Sequence, residues 1–146
     1  MEEILKEKTS ADHLLYVSLK YTKTCDVILN LLQRWKVMIE RSIEAMLVHA
    51  KKRKMISSIP TSPLGKIETA KKLFKKQEVV LQTILFYEML RKLDTLRKER
   101  EGEFRKNVNL RIFYTGKEVN VNLEKLKEYK ELLEKFISYV KQFISS

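Results

Sequence analysis

The chain has 146 residues, 44% hydrophobic and 34% charged, with 30 Lys and Arg against 19 Asp and Glu and a net charge of +11. A chain this long suits one domain that buries roughly 70% of its unfolded surface, and its apolar content excludes a disordered tail. Its richest apolar stretch, residues 79–90, is interrupted by Gln82, Thr83 and Glu88 and is shorter than the ~20 residues a bilayer needs, which excludes a membrane span.

The first ten residues carry three acids and two lysines without a long apolar run, unlike a secretory signal, and predict a cytoplasmic protein. Thr9 with Asp12 three positions on reads as a variant capping box, so the first helix is expected from Ser10. From Tyr21 an apolar stripe runs through Cys25, Ile28, Leu32, Trp35, Ile39, Ile43 and Met46 at spacings of three and four, the period of a buried helical face. An unbroken helix over residues 10–53 would be about 65 Å long, too long for a domain of this size. The threonines of residues 21–26 are therefore expected to end one helix and cap the next.

Residues 57–65, with Pro60, Pro63 and Gly65, read as a loop, and a helix restarts near Lys66. Ile67, Ala70, Phe74 and Leu81 share one face, and Val80, Ile84, Phe86, Leu90, Leu93 and Leu96 share another. One bent helix or two helices then reach about Arg100. After Gly102 the period becomes two: Val108, Leu110, Ile112 and Tyr114 point one way. A two-residue loop at Thr115 and Gly116 sets Ile112 against Val119 and Leu110 against Val121. Asn122 caps a last helix striped by Leu126, Tyr129, Leu133, Phe136, Val140 and Phe143. The expected fold is mainly α, a single domain over residues 1–146. It is a four- to five-helix bundle with one antiparallel β-hairpin, about 108–121, before the C-terminal helix.

Catalytic chemistry finds few candidates. Neither His13 nor His49 has a His or Cys at helical ligand spacing, so no metal site is expected, and nothing calls for a cofactor. Cys25 is alone and lies on the apolar stripe, where a thiol behaves as a small hydrophobe; it can form no internal disulfide. Glu40 with Glu44 and Glu124 with Glu128 are carboxylates at helical spacing beside Arg or Lys, the pattern of a solvated face. Heavy use of Lys and Glu with a single Cys matches heat-adapted composition.

Two resemblances bear on function. Arg41, Glu44 and His49 on one long helix resemble the HEPN ribonucleases, helical bundles marked by an Arg followed four to six residues later by a His. Here seven residues separate Arg41 from His49, and at about 100° per residue the side chains diverge by roughly 80°. The resemblance implies a HEPN-like ribonuclease or toxin component with Arg41 and His49 as its only active-site candidates. ADHLLYV from Ala11, EFRK from Glu103, the hairpin and the capped final helix are similar to a family of uncharacterised archaeal helical proteins. That likeness implies no activity.

Charge gives the main functional signal. Residues 51–54, KKRK, contribute +4, residues 71–80 contribute +3 and residues 91–100 contribute +3 of the total +11. Lys71 with Lys75 and Lys72 with Lys76 are like charges at four-residue spacing, each pair opposing an isolated helix by roughly 0.2–0.5 kcal/mol. A polyanion relieves that repulsion and releases counterions on binding. The KKRK cations also complement a helix C-terminus, and Asp94 is placed to neutralise Arg91, Arg97 and Lys98 on a helix. Phe113 and Tyr114 are adjacent on a strand, so one of them is expected to be exposed. The leading expectation is a non-enzymatic binding protein contacting RNA, DNA or another polyanion through Lys51, Lys52, Arg53, Lys54, Lys71, Lys72, Lys75 and Lys76, with Arg91 and Lys92 in the third block. A structural homodimer that buries leftover apolar face is the remaining expectation.

Overall fold

Acidic side chains at Glu2 and Glu3 complement the positive end of a helix dipole, and in the computed structural model, which describes residues 1–146, helix α1 begins there. It runs Glu2–His13, passes through a π-helical turn at Leu14–Ser18 and finishes at Leu19–Tyr21. The expected start at Ser10 is corrected. Thr9 donates its hydroxyl to the Leu5 carbonyl at 2.9 Å, and Asp12 pairs with Lys8 at 3.0 Å. A threonine inside a helix reaches the carbonyl four residues back, so the residues that read as a cap serve equally well in mid-helix.

The break expected after Tyr21 is present. Thr24 caps helix α2, Cys25–Lys52, its hydroxyl oxygen accepting the Val27 N–H at 3.3 Å. The stripe from Cys25 to Met46 is buried as its spacing demands. Tyr21 departs from it and is 78% exposed, because the non-helical residues 22–24 rotate it out of phase with α2.

Helix α3, Pro63–Leu73, starts three residues earlier than expected. Ser62 accepts the Gly65 N–H at 3.0 Å and proline, which lacks an N–H to satisfy, opens the first turn. Helix α4 is Glu78–Lys92, so two helices rather than one bent helix fill this stretch, and neither reaches Arg100. Lys98–Glu101 instead forms edge strand β1 against β2, Asn109–Tyr114, which pairs in turn with β3, Lys117–Asn122. The expected hairpin is therefore two-thirds of a three-stranded antiparallel sheet. Its register matches the pattern: Ile112 faces Val119 and Leu110 faces Val121, with Thr115 (φ 52) and Gly116 (φ 76) making the two-residue turn.

Asn122 accepts the Lys125 N–H at 2.8 Å and starts helix α5, Leu123–Ser145. Leu126, Leu133, Phe136 and Val140 are buried against α2 and α4 along with Leu110, Ile112 and Val121 of the sheet. At the centre Trp35 meets Phe86 and Tyr129 edge-on, and those two rings stack at 4.1 Å between centroids. No helix is long and apolar enough to cross a membrane.

Candidate nucleic-acid interface

The KKRK block terminates α2. The Met55 N–H bonds to the Ala50 carbonyl at 2.8 Å and the Lys54 N–H to the Lys51 carbonyl at 3.0 Å, which is the Schellman arrangement that closes a helix. Glycine normally takes its left-handed position, yet here Lys54 holds it at φ 61. A side chain in that conformation costs roughly 1–2 kcal/mol. The two hydrogen bonds of the turn hold Lys54 there against that strain.

Residues 74–77 link α3 to α4 and carry Lys75 and Lys76. Phe74 anchors that link: its buried ring lies edge-on to Tyr139 at 5.9 Å and to Phe143 at 5.0 Å. Phe143 also takes the ring of His49 edge-on at 5.2 Å, and Arg53 donates to the Ser146 hydroxyl at 2.8 Å. These contacts bring the end of α2, the α3–α4 link and the end of α5 together. Met55, Phe74, Lys75, Lys76, Tyr139 and Phe143 line a cleft of about 360 Å³ between them. Lys51, Lys52, Lys54, Lys75 and Lys76 are exposed and make no ion pair, and Arg53 donates to a neutral hydroxyl. Lys75 and Lys76 thus line the cleft unneutralised, and the equally unpaired KKRK run ends beside its lining residue Met55.

The other sequence candidates fall elsewhere. Lys71 is held by Glu88 at 2.8 Å and Glu68 at 3.6 Å, and the hydrogen bond to Glu88 keeps its ammonium above the ordinary lysine range. The repulsion inferred from four-residue spacing is corrected, because α3 ends at Leu73 and Lys75 and Lys76 lie beyond it. Lys72 is exposed on α3 without a partner. Arg91 and Lys92 stand at the far end of α4, about 20 Å along the helix from its start, with Lys92 5.9 Å over the Tyr114 ring. Asp94 neutralises none of its expected partners, since the helix has ended. Arg97 pairs with Glu99 at 3.0 Å, and Lys98 donates to the Leu96 carbonyl at 2.9 Å.

Arg41 and His49 are separated by about 12 Å of helical rise and face different surroundings. Arg41 pairs with Glu7 at 3.0 Å beside a 250 Å³ cleft where Lys66 pairs with Glu44 at 2.8 Å and Tyr87 donates to Glu40 at 2.7 Å. Burial, and then that hydrogen bond, push the Tyr87 phenol upward. Arg41, Glu44 and Lys66 are thus each paired with an opposite charge, and Glu40 is held by a phenol. His49 meets an aromatic edge instead. Cys25 is fully buried and donates to the Asn109 carbonyl at 3.3 Å; burial first, then the Glu103 carboxylate, push its thiol up to about 12, the reverse of what a nucleophile needs. No group of three His, Cys, Asp or Glu side chains is placed to hold a metal ion.

Phe113 and Tyr114 are both half-buried, Phe113 beneath the Arg97 guanidinium at 4.7 Å, so neither is the exposed ring expected of that pair. The most exposed rings are Tyr21 at 78% and Phe104 at 75%, followed by Tyr16, which lies against the Lys130 ammonium at 5.0 Å. Periodicity concealed Tyr21 because it fits the stripe, whereas Phe104 stood visibly alone among the polar residues 101–107. Set against protein-family models, curated proteins and solved structures, the chain matches nothing.

Proposed function

We propose that this chain is a non-enzymatic binding protein whose basic end takes a polyanion, RNA or DNA, through its phosphates. One observation carries the reading: Lys75 and Lys76 line one cleft together with Met55, the residue that follows the KKRK run, and neither these lysines nor residues 51–54 have a carboxylate partner. Elsewhere Lys71, Lys66, Arg41 and Arg100 are each matched by an acid within 3.0 Å. Unpaired cations at close quarters repel one another. An approaching phosphate chain removes that repulsion and releases its condensed counterions, a gain that carries no sequence information.

The test is an electrophoretic shift titration of the purified protein with RNA, DNA and heparin across a salt series. All three should bind at low salt and release steeply as salt rises. A protein that shifts none of them at low ionic strength, or binds them with flat salt dependence, overturns the proposal.

A further inference from the structure

The two most exposed large apolar side chains in the protein, Tyr21 and Phe104, lie at the same end of the bundle, opposite the basic end. They flank one piece of backbone. The Phe104 N–H donates to the Lys23 carbonyl at 2.7 Å, two residues after Tyr21, and the Glu103 carboxylate accepts the Cys25 N–H at 3.0 Å. The β1–β2 loop is thereby docked onto the start of α2. Phe104 sits at φ 67, a left-handed conformation that an aromatic residue rarely adopts, and Gly102, two residues earlier, is at φ 63. Strain of this kind survives where the surrounding structure holds a side chain in a useful place.

Charge around the rings is one-sided. Asp26 is taken by Arg100 at 2.8 Å, Glu101 by Arg111 at 2.9 Å, and Glu103 by the Cys25 amide. Lys20, Lys23, Arg105 and Lys106 make no ion pair, and the Lys20 ammonium lies 5.8 Å from the Tyr21 ring. Exposed rings interleaved with free cations are how proteins grip unpaired bases: the rings stack on bases and the cations follow the phosphates. Duplex ends its bases inside the helix, where such rings cannot reach them.

We infer that Tyr21 and Phe104, with Lys20, Lys23, Arg105 and Lys106, form a stacking platform for single-stranded nucleic acid. The inference rests on the polyanion reading above and specifies the form of the ligand. It also places a second contact at the far end of α2.

Fluorescence anisotropy tests it with a labelled single-stranded oligonucleotide, the duplex of the same sequence, and heparin in competition, using wild type, Tyr21→Ala and Phe104→Gly. Each variant should lose roughly tenfold in affinity for the single strand while keeping its affinity for duplex and heparin. Phe104→Gly should also raise Tm by roughly 1–3 °C, because glycine takes the left-handed conformation without strain; lost affinity then cannot be blamed on a damaged fold. Unchanged single-strand affinity in both variants overturns the inference. Equal losses on all three ligands overturn it too, since stacking cannot weaken heparin. Wild type that binds duplex and heparin but not the single strand removes this inference and leaves the basic-end reading standing. Wild type that binds none removes both.

Discussion

Replacing Lys75 and Lys76 together by Gln should lower both the affinity for duplex nucleic acid and its sensitivity to salt. Both side chains are exposed and unpaired, so the fold should change in stability by no more than about 0.5 kcal/mol. Full engagement of Lys51, Lys52, Arg53, Lys54, Lys75 and Lys76 gives a slope of log affinity against log salt of about −5, at about −0.9 per phosphate neutralised. The double variant should show a slope between about −3 and −4. Between 50 and 200 mM salt the wild type should lose affinity about a thousandfold and the variant about a hundredfold, by the same relation. Anisotropy titrations of a labelled duplex at four salt concentrations measure this directly. Lys71→Gln and Arg91→Gln/Lys92→Gln are the controls, because Lys71 is held by Glu88 and the other pair stands at the opposite end of α4. An unchanged slope in the double variant, or an equal drop in either control, refutes the convergence argument.

Lys54→Gly should raise stability by about 0.5–1 kcal/mol while weakening duplex binding, because it relieves the left-handed strain and removes one cation of the KKRK run; a loss of stability in chemical denaturation would contradict the assigned helix ending. Trp35, 2% exposed and wedged edge-on against Phe86 and Tyr129, should cost about 3–5 kcal/mol when replaced by Ala, read from urea unfolding by circular dichroism. Burial raises the Cys25 thiol from 9.0 to about 12 in the folded chain. Its contribution to stability is therefore complete below about pH 9 and is lost as pH climbs towards 12, on the order of 2 kcal/mol by about pH 10.5. Urea midpoints should fall over that window in wild type and fall less in Cys25→Ala; parallel curves would show that the thiol does not titrate as described.

What the sequence made legible depended on whether burial left a periodic trace. The β2–β3 register was readable to the residue because one face is buried, and a slip of one position would send Leu110 and Ile112 to solvent. Strand β1 left no such trace: KERE is an edge strand of charged residues with no buried side chain, and its pairing with β2 is carried by backbone hydrogen bonds that composition does not record. The same limit governs the site. Lys71 and Lys75 look equivalent in sequence, but the end of α3 at Leu73 turns one towards Glu88 and leaves the other at the rim of the cleft. Tyr21 was hidden by three non-helical residues that shift phase without altering spacing. The halves of the basic end were visible as composition, whereas their meeting depends on Phe74, Tyr139 and Phe143 packing across more than sixty residues of chain.

Helix α2 has 28 residues and joins the two proposed contact regions without interruption, about 42 Å from one end to the other. A rod of that kind acts as a ruler. A flexible strand long enough to touch both ends makes its second contact at an effective concentration set by the strand's own reach, in the millimolar range, whereas a shorter fragment meets each end as an independent, weaker encounter. Ligand length would then be measured by an element that has no contact with the ligand over most of its span.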